Sequence, residues 1–583
     1  MADSRLADLK ASVRGQLITR DDKDAFAAAR FRGFNRDLNL RANPLGFVVV
    51  SGVRDIVTTV NYCRSNNIPI AVRGKGAHSP YGMANDAIVI DLMSMTAVRV
   101  DPEKKLAFIQ AGADGGDVDH EAALNNLICI TGSVSHTGFA GVALGGGIGH
   151  LSRWLGAIVD SIVGYEMVTA EGKVVRVDGG KDPELFWGMR GNGASFGIVT
   201  EFVVRLRDMP NDGIIRGAPI LWAADKAKDV MTSWMGRIGR PDRRDTETLQ
   251  FVFTHSPDGH PVCGVVPLIV GENEAAAKAV CDELAAFGGG ALVRQDTQLP
   301  YTALQTALDE RFPFNANYWD KGVVIDWDPR DSSAVNGIVD AAVKHWGEKP
   351  EFASKLSTIL VFMEVNGALG RADPASTSFA ARKGRLWCSA IVSWPGDDVS
   401  RRAASKKWCD AFVATLSRFQ VTTYLNNAMP ESETEMLGVF PQDAMKRLRA
   451  LKAEHDPNNL FKIGAWQYEA NKLLLLARKM GREASVSPAL SKRNRLNPFR
   501  SRTNVEGRII MTMQGSSARK AEHLTPPIDG DFYRVADLLD AKERVVAQRV
   551  GASWKPRLLR SPRTIGRATS FPSRSFRKSR GSA

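Results

Sequence analysis

The sequence predicts an α+β protein in two parts, followed by a basic tail. Three observations predict it. Residues 44–110 alternate strand and helix signals over short connections, residues 132–149 hold seven glycines, and from about residue 209 a hairpin pattern opens a region of antiparallel character. The chain has 583 residues, 44% hydrophobic and 24% charged. That is ordinary for a globular protein with a large core and excludes a fibrous or mainly disordered chain. No apolar run approaches the ~18 residues that span a bilayer, so no membrane partner is expected.

The elements follow in order. Gly46 to Val50 is a short β-branched run. Val53, Ile56, Val57 and Val60 come next at helical spacing, with Ser51 placed to cap the helix. Ile68 to Val72 reads as a strand, and the glycine-rich stretch 74–82 follows it. Ile88 to Leu92 and Leu106 to Gln110 are further strands. Ile162 to Thr169 and Lys173 to Val177 flank Ala170-Glu171-Gly172, a hairpin signal. ELFWGMRGNGASFGIVTEFVVRL reads as a glycine turn feeding a strand. Beyond 209, Thr248 to Phe253 and Val262 to Val270 flank a Ser-Pro-Asp-Gly turn. Ala275 to Phe287 is an amphipathic helix, and Leu356 to Val365 and Trp387 to Trp394 are strands. Residues 443–455 form a basic helix pattern ending at Asp456-Pro457.

Net charge is +13, which invites a nucleic-acid reading. Its distribution argues otherwise. Residues 471–583 hold 25 Lys and Arg against 8 Asp and Glu, whereas residues 1–470 hold 52 against 56. The body is near neutral and the basicity belongs to the tail, whose last part, 551–583, is Arg/Ser/Pro-rich and reads as disordered. Six scattered cysteines without a CxxC pair exclude a disulfide scaffold or a cysteine zinc ribbon. The first residues lack the basic-then-apolar pattern of a secretion signal, so a cytoplasmic location is expected.

Several motifs have a bland reading. Gly145-Gly-Gly-Ile-Gly149 lets backbone N–H groups approach an anion closely, yet it matches neither the GxGxxG dinucleotide fingerprint nor a Walker A loop. Gly193-Ala-Ser-Phe-Gly197 matches the hydrolase pattern by letter, but a strand follows it where a helix is required, so it reads as a turn. His255, Asp258 and His260 surround a hairpin turn and read as solvated rather than metal-binding; no metal site is expected. Lys446, Arg447, Arg449 and Lys452 read as a solvated helix face. His78, in Arg73-Gly-Lys-Gly-Ala-His-Ser79, follows a buried-looking strand, and glycines clear space around it.

Taken together, the order of motifs carries more than any one of them. Strand-RGKGAHS is followed by VIDL, then Gly112, then TGSVSHTGFAGVALGGGIGHLSR, VTAEGKVV and ELFWGMRGNGASFGIVTEF. Tyr318-Trp319, the stretch from Asn366 to Arg382, Tyr424-Leu-Asn426 and KAEHDPNNLF continue the series. Over about residues 40–465 the chain resembles the berberine-bridge-enzyme-like flavoprotein oxidases, which carry the PCMH-type FAD-binding domain shared with vanillyl-alcohol oxidase.

The resemblance implies a lead-in over 1–40, an FAD-binding domain over 41–208 and a substrate domain over 209–419 with an antiparallel sheet and helices. A segment over 420–470 returns to the FAD domain, and the tail over 471–583 has no family counterpart. It implies that Arg73, Gly74, Lys75, Gly76, Ala77, His78, Ser79 and Gly82 wrap the cofactor together with Gly138, Gly141, Gly145, Gly146, Gly147 and Gly149. Gly197, Ile198, Val199 and Asn426 complete the cofactor set. His78 stands where relatives bond the flavin covalently, although the spacing from Arg73 is one residue longer than usual. Val134 stands where many relatives add a cysteinyl bond, so attachment through His78 alone is implied. The implied chemistry is hydride transfer to flavin from a carbon bearing O or N of a small molecule, with oxygen as acceptor. Asn427 replaces the usual tyrosine base, which leaves Tyr424, then Glu364, as candidates for that role. Two other readings stay open here: a flavoprotein without catalysis, and a nucleic-acid binder acting through its tail.

Overall fold

The structure is a computed structural model that describes residues 6–76, 78, 82–428 and 439–462. Ala77, Ser79 and the tail over 471–583 fall outside the described residues. All described residues belong to one unit, Met1–Val486; the second unit, Ser487–Ala583, lies outside them.

Two small sheets build the first half. One runs Gln16–Thr19, Gly46–Val49, Ile88–Asp91, Ile70–Arg73, with the last three strands parallel and the first antiparallel to its neighbour. The other is antiparallel, in the order Val98–Asp101, Leu106–Gln110, Ile198–Arg205, Ile162–Val168, Val174–Asp178. The parallel strands are buried along most of their length, as strands covered on both faces must be. The helix Val53–Asn66 packs beside them. Its N-cap is Gly52, not Ser51. Ser51 instead donates to Asp55 Oδ2 at 2.9 Å, and that carboxylate also takes the N–H groups of Arg14, Gly15 and Ser51. Those bonds hold the Asp55 carboxyl below the usual range, against the opposing effect of burial. The glycine turn expected before Ile198 contains a helix, Pro183–Asn192, capped by Asp182 and entered through a proline, which suits a first turn.

The second half is a ten-stranded sheet. Its main path runs Val293–Arg294, Ile220–Ala223, Pro261–Val270, Glu247–His255, Ile359–Glu364, Leu386–Trp394, Asn317–Ile325, Gln420–Thr422. Cross-strand register assigns every side chain to a face, because opposite residues in an antiparallel ladder project the same way. One face carries Phe251, Phe253, Phe362, Cys388, Trp319 and Val323. It packs on the helices Ala227–Ile238, Ser332–Gly347 and Val399–Thr415. The other face carries Gln250, Val266, Val361, Ile391, Tyr318 and Asp320 and looks toward the glycine loops.

The two halves are tied around that second face. Arg382 clasps Asp160 with two bonds, 2.6 and 3.0 Å. Ser135 gives its N–H and hydroxyl to Asp309, and Gln305 bonds Thr131 and the carbonyl of Gly132. His150 donates from Nε2 to Ser133 O and accepts at Nδ1 from Gln250, so it is the neutral tautomer; burial pushes its pKa down to about 4.

Candidate functional site

The site begins where the strand Ile70–Arg73 ends. Arg73 is fully buried and pairs with Asp91 on the neighbouring strand at 2.5 Å, with a further bond to Ala29 O. It therefore fixes the root of the loop instead of lining it, because its guanidinium points into the small sheet. Lys75 pairs with Asp114 and Asp117, which together cap the helix Gly115–Ala123. A Cβ on Gly76 would lie 2.3 Å from the His78 ring, so only glycine lets the imidazole fold back against the loop. Gly82 is buried in the same connection.

The His78 ring stacks on Phe34, centroids 4.0 Å apart and planes 14° apart, and Phe34 stacks on Tyr318 at 4.5 Å and 10°. Burial, with a smaller push from His136, brings the His78 pKa down to about 3, so the imidazole is neutral and nucleophilic. Phe34 comes from the lead-in. Its N–H donates to Gly76 O and its carbonyl accepts from Asn315 N–H. Asn35 beside it caps the helix Arg36–Arg41 and exchanges two bonds with the Tyr318 backbone.

Gly138 opens the helix Phe139–Leu144; a Cβ there would meet Gly76 N at 3.1 Å, which accounts for glycine at the close approach of the two loops. Gly141, one turn on, has open space around its Cα. Six residues at ~1.5 Å each carry the chain ~9 Å to the second cluster. There Gly146 and Gly147 have φ of 119° and 83°, a region that side chains avoid, and Cβ atoms would strike Phe379 and Ile158. Asn426 fills the space over Gly145 and donates to Val142 O at 2.9 Å. Gly149 bonds Ser152.

Tyr424 is buried, and its oxygen accepts N–H bonds from Gly147, Ile148 and Asn426 at 3.1, 3.2 and 2.7 Å. Burial pushes its pKa up to about 12. A phenol so placed holds the glycine loop and has little capacity to take a proton. Glu364 lies on the helix-facing side of the large sheet. Arg243 grips both its oxygens, at 2.5 and 2.9 Å, and Leu249 N–H adds a third bond. That carboxylate faces away from the glycine loops and is committed to the fold. A Cβ on Gly197 would lie 2.7 Å from Val168 O, so glycine lets the chain pass close to the strand Ile162–Val168, and Ile198 and Val199 are core residues of the adjoining strand. Their backbone shapes the floor and their side chains serve packing.

Asp320 is the group that sequence reading passed over. Among the described strand residues of the large sheet it is the only carboxylate on the loop-facing side, opposite Ile391. Its Oδ2 accepts from Asn427 Nδ2 at 2.6 Å. Burial raises its pKa to about 6, against the lowering effect of the Asn427 bond. It lies deep yet keeps part of its surface, as do Val266, Val361 and Ile391, while the other loop-facing positions around them are sealed. These four outline the open part of the face that looks toward the glycine loops. Along the strand, Tyr318 stands at the His78 end, and Gly322 stands against Trp387, which packs edge-on against Tyr424 at the Gly147 end. Asp320 is midway between the two loop clusters. A separate surface depression of about 340 Å³ near Ile214 and Gln298 has its Arg216 paired with Glu274 and Asp296, and carries no comparable set of free groups.

Known proteins share this fold. Residues 44–178 match the family model described as FAD binding domain. The chain is 29% identical over 474 residues to (R)-6-hydroxynicotine oxidase of Paenarthrobacter nicotinovorans, covering 77% of this chain and 96% of that one. It is 27% identical over 435 residues to an FAD-linked oxidoreductase of Dictyostelium discoideum, covering 74% and 91%. Its fold matches 6-hydroxy-D-nicotine oxidase from Arthrobacter nicotinovorans with a TM-score of 0.67 at 23% identity, covering 78% of this chain and 98% of the other. A xylooligosaccharide oxidase from Myceliophthora thermophila matches with a TM-score of 0.67 at 19% identity, covering 79% and 98%.

The residues present fit FAD. His78 Nε2, both ring nitrogens of His136 and Trp387 Nε1 are buried without a hydrogen-bond partner among the described residues. Such groups are costly unless a ligand satisfies them. The glycines keep side chains out of the close approach of the two loops at Gly76 and Gly138, as a cradle for an extended cofactor requires. With its FAD binding domain, its likeness to FAD-linked oxidoreductases over most of its length and its PCMH-type oxidase fold, the chain is an FAD-linked oxidoreductase.

Proposed function

We propose that this protein is an oxidase of a small molecule, with FAD attached through His78 and with Asp320 as the proton acceptor. When bound, FAD supplies a two-electron sink for a hydride from a carbon bearing oxygen or nitrogen. The cradle of Gly76, Gly138 and Gly145–Gly147 would hold it, and the neutral His78 imidazole is suited to bond it. The apolar Val134 stands at the position of the second attachment, which favours a single bond. The observation that carries the reading is Asp320: one carboxylate, facing the cavity, with its pKa raised to about 6 and therefore ionised at neutral pH yet basic enough to take a proton. Asn427 cannot accept the proton itself. Its amide donates to Oδ2 and fixes the carboxylate's orientation. Burial of the surrounding wall excludes water from the reacting pair. Molecular oxygen is the proposed electron acceptor, by likeness to the relatives named as oxidases.

The test is direct. The purified protein is precipitated with acid; yellow colour should stay in the pellet, and in His78→Ala it should pass to the supernatant. A cysteinyl flavin in peptide maps would overturn attachment through His78. Anaerobic stopped-flow should then show Asp320→Asn reducing its flavin ~10²-fold or more slowly than wild type. An unchanged rate would remove Asp320 from the role. Oxygen uptake with peroxide release would support the acceptor.

A further inference from the structure

We propose that the site takes a compact, ring-bearing, mainly apolar molecule that presents one hydroxyl or amine to Asp320, and that Phe34 of the amino-terminal segment meets its ring. The inference rests on the hydride-transfer reading above and narrows its substrate. The face that bears Asp320 is apolar: Val266, Val361 and Ile391 keep part of their surface beside it, next to a buried cluster of Phe34, Val252, Phe312, Tyr318 and Ile359. The polar groups on that side are mostly spent within the protein. Tyr318 donates its hydroxyl to Pro313 O, Ser389 to Lys321 O, and Gln250 its amide to His150. Among the described residues of that face, what remains open is Asp320, with the unpartnered nitrogens of His136, His78 and Trp387 near it.

A sugar carries a hydroxyl on nearly every carbon, and each one buried without a partner is costly. This wall cannot satisfy several at once. A ring with a single polar group leaves nothing unpaired. The aromatic groups give such a ring its seat. Both faces of Phe34 are covered by His78 and Tyr318, so it offers its edge, which favours an edge-to-face partner. Phe314, 39% exposed, stands nearly perpendicular to Phe34 at 5.6 Å and 4.9 Å from His136, and forms the rim. No Lys or Arg lies on the cavity side among the described strand residues, so an anionic substrate has no counter-charge there.

The experiment uses the full-length holoprotein. Anaerobic flavin reduction is followed with aryl and alicyclic alcohols and cyclic amines in one set, and with xylobiose and cellobiose in the other. Reduction by the first set with sugars at least ~10-fold slower supports the proposal; comparable or faster reduction by sugars overturns it. If dithionite reduces the flavin but neither set does, the hydride-transfer reading falls, and binding decides the present inference. Substituted phenols should then perturb flavin absorbance while cellobiose does not; the reverse, or no response to phenols, overturns it. Phe34→Ala should weaken ring-compound binding, measured per bound flavin, ~3- to 10-fold. Phe34→Leu, which keeps most of the volume, guards against misfolding and should show the same direction. Unchanged affinity in both variants would remove Phe34 from the site.

Discussion

At Asp320 the proposed chemistry and the stability of the fold pull in opposite directions. A carboxylate whose pKa lies at about 6 in the folded chain and near ~3.9 unfolded binds its proton more tightly when folded. Stability contributed by the group is present below pH ~4 and is lost as pH rises through about 6. The penalty above that is up to ~3 kcal/mol, because each tenfold change in proton affinity is worth ~1.4 kcal/mol. Asp320→Asn should therefore raise the thermal midpoint at pH 7–8, and the gain should vanish at pH 4. In the wild type, the rate of flavin reduction should climb with pH to a plateau above about 6. A flat profile measured by stopped-flow over pH 5–8 would contradict Asp320 as the base. Glu364 makes the complementary case. It and Arg243 are both fully buried and mutually bonded. Removing one partner of a buried pair typically costs ~3–5 kcal/mol. Glu364→Gln should lower the urea midpoint markedly while leaving the reduction rate per bound flavin within ~2-fold. A large rate loss at unchanged stability would return Glu364 to the chemistry.

At the scale of elements, the decisive pieces are two glycine loops joined by the short helix Phe139–Leu144. Each is pinned by a residue distant in sequence: the first by Phe34 through Gly76, the second by Tyr424 through Gly147 and Ile148. Gly147→Ala would place a Cβ 2.4 Å from Ile158 at a φ of 83°. The conformational cost alone is ~1–2 kcal/mol, and the clash adds to it. Flavin content after purification should fall sharply, with the far-ultraviolet circular dichroism little changed. Full flavin occupancy in that variant would show that the loop tolerates a side chain and that the cradle lies elsewhere.

At the scale of the whole molecule, the large sheet acts as a two-sided plate: helices on one face, the cofactor half on the other. The ties between halves, Arg382–Asp160, Ser135–Asp309 and Gln305–Thr131, hold the sheet that bears Asp320 against the half with the glycine loops. The described elements all fall within the unit Met1–Val486. A chain ending at Val486 should stay yellow and soluble and retain its rate of flavin reduction. Loss of flavin or precipitation would mean that residues beyond it contribute to the packed body.

The sequence by itself determined the cofactor half. Glycine density, the strand alternation of 44–110 and the hairpin around Gly172 are local signals, because a positive φ or a buried strand demands particular residues at particular positions. The strands Leu106–Gln110 and Glu247–His255 with its partner fall where the periodicity puts them, within a few residues. The helix Pro183–Asn192 does not, since Gly188 and Gly191 disguise it as a turn. The proposed catalytic side was decided only by tertiary structure. Asp320 and Glu364 are both acidic residues in apolar strands, and nothing local distinguishes them. Their facing depends on cross-strand register, where a shift of one residue exchanges the two sides of a sheet. Phe34 carries no local signal either: a phenylalanine in a lead-in segment reaches the site only because its backbone is hydrogen-bonded between Gly76 and Asn315.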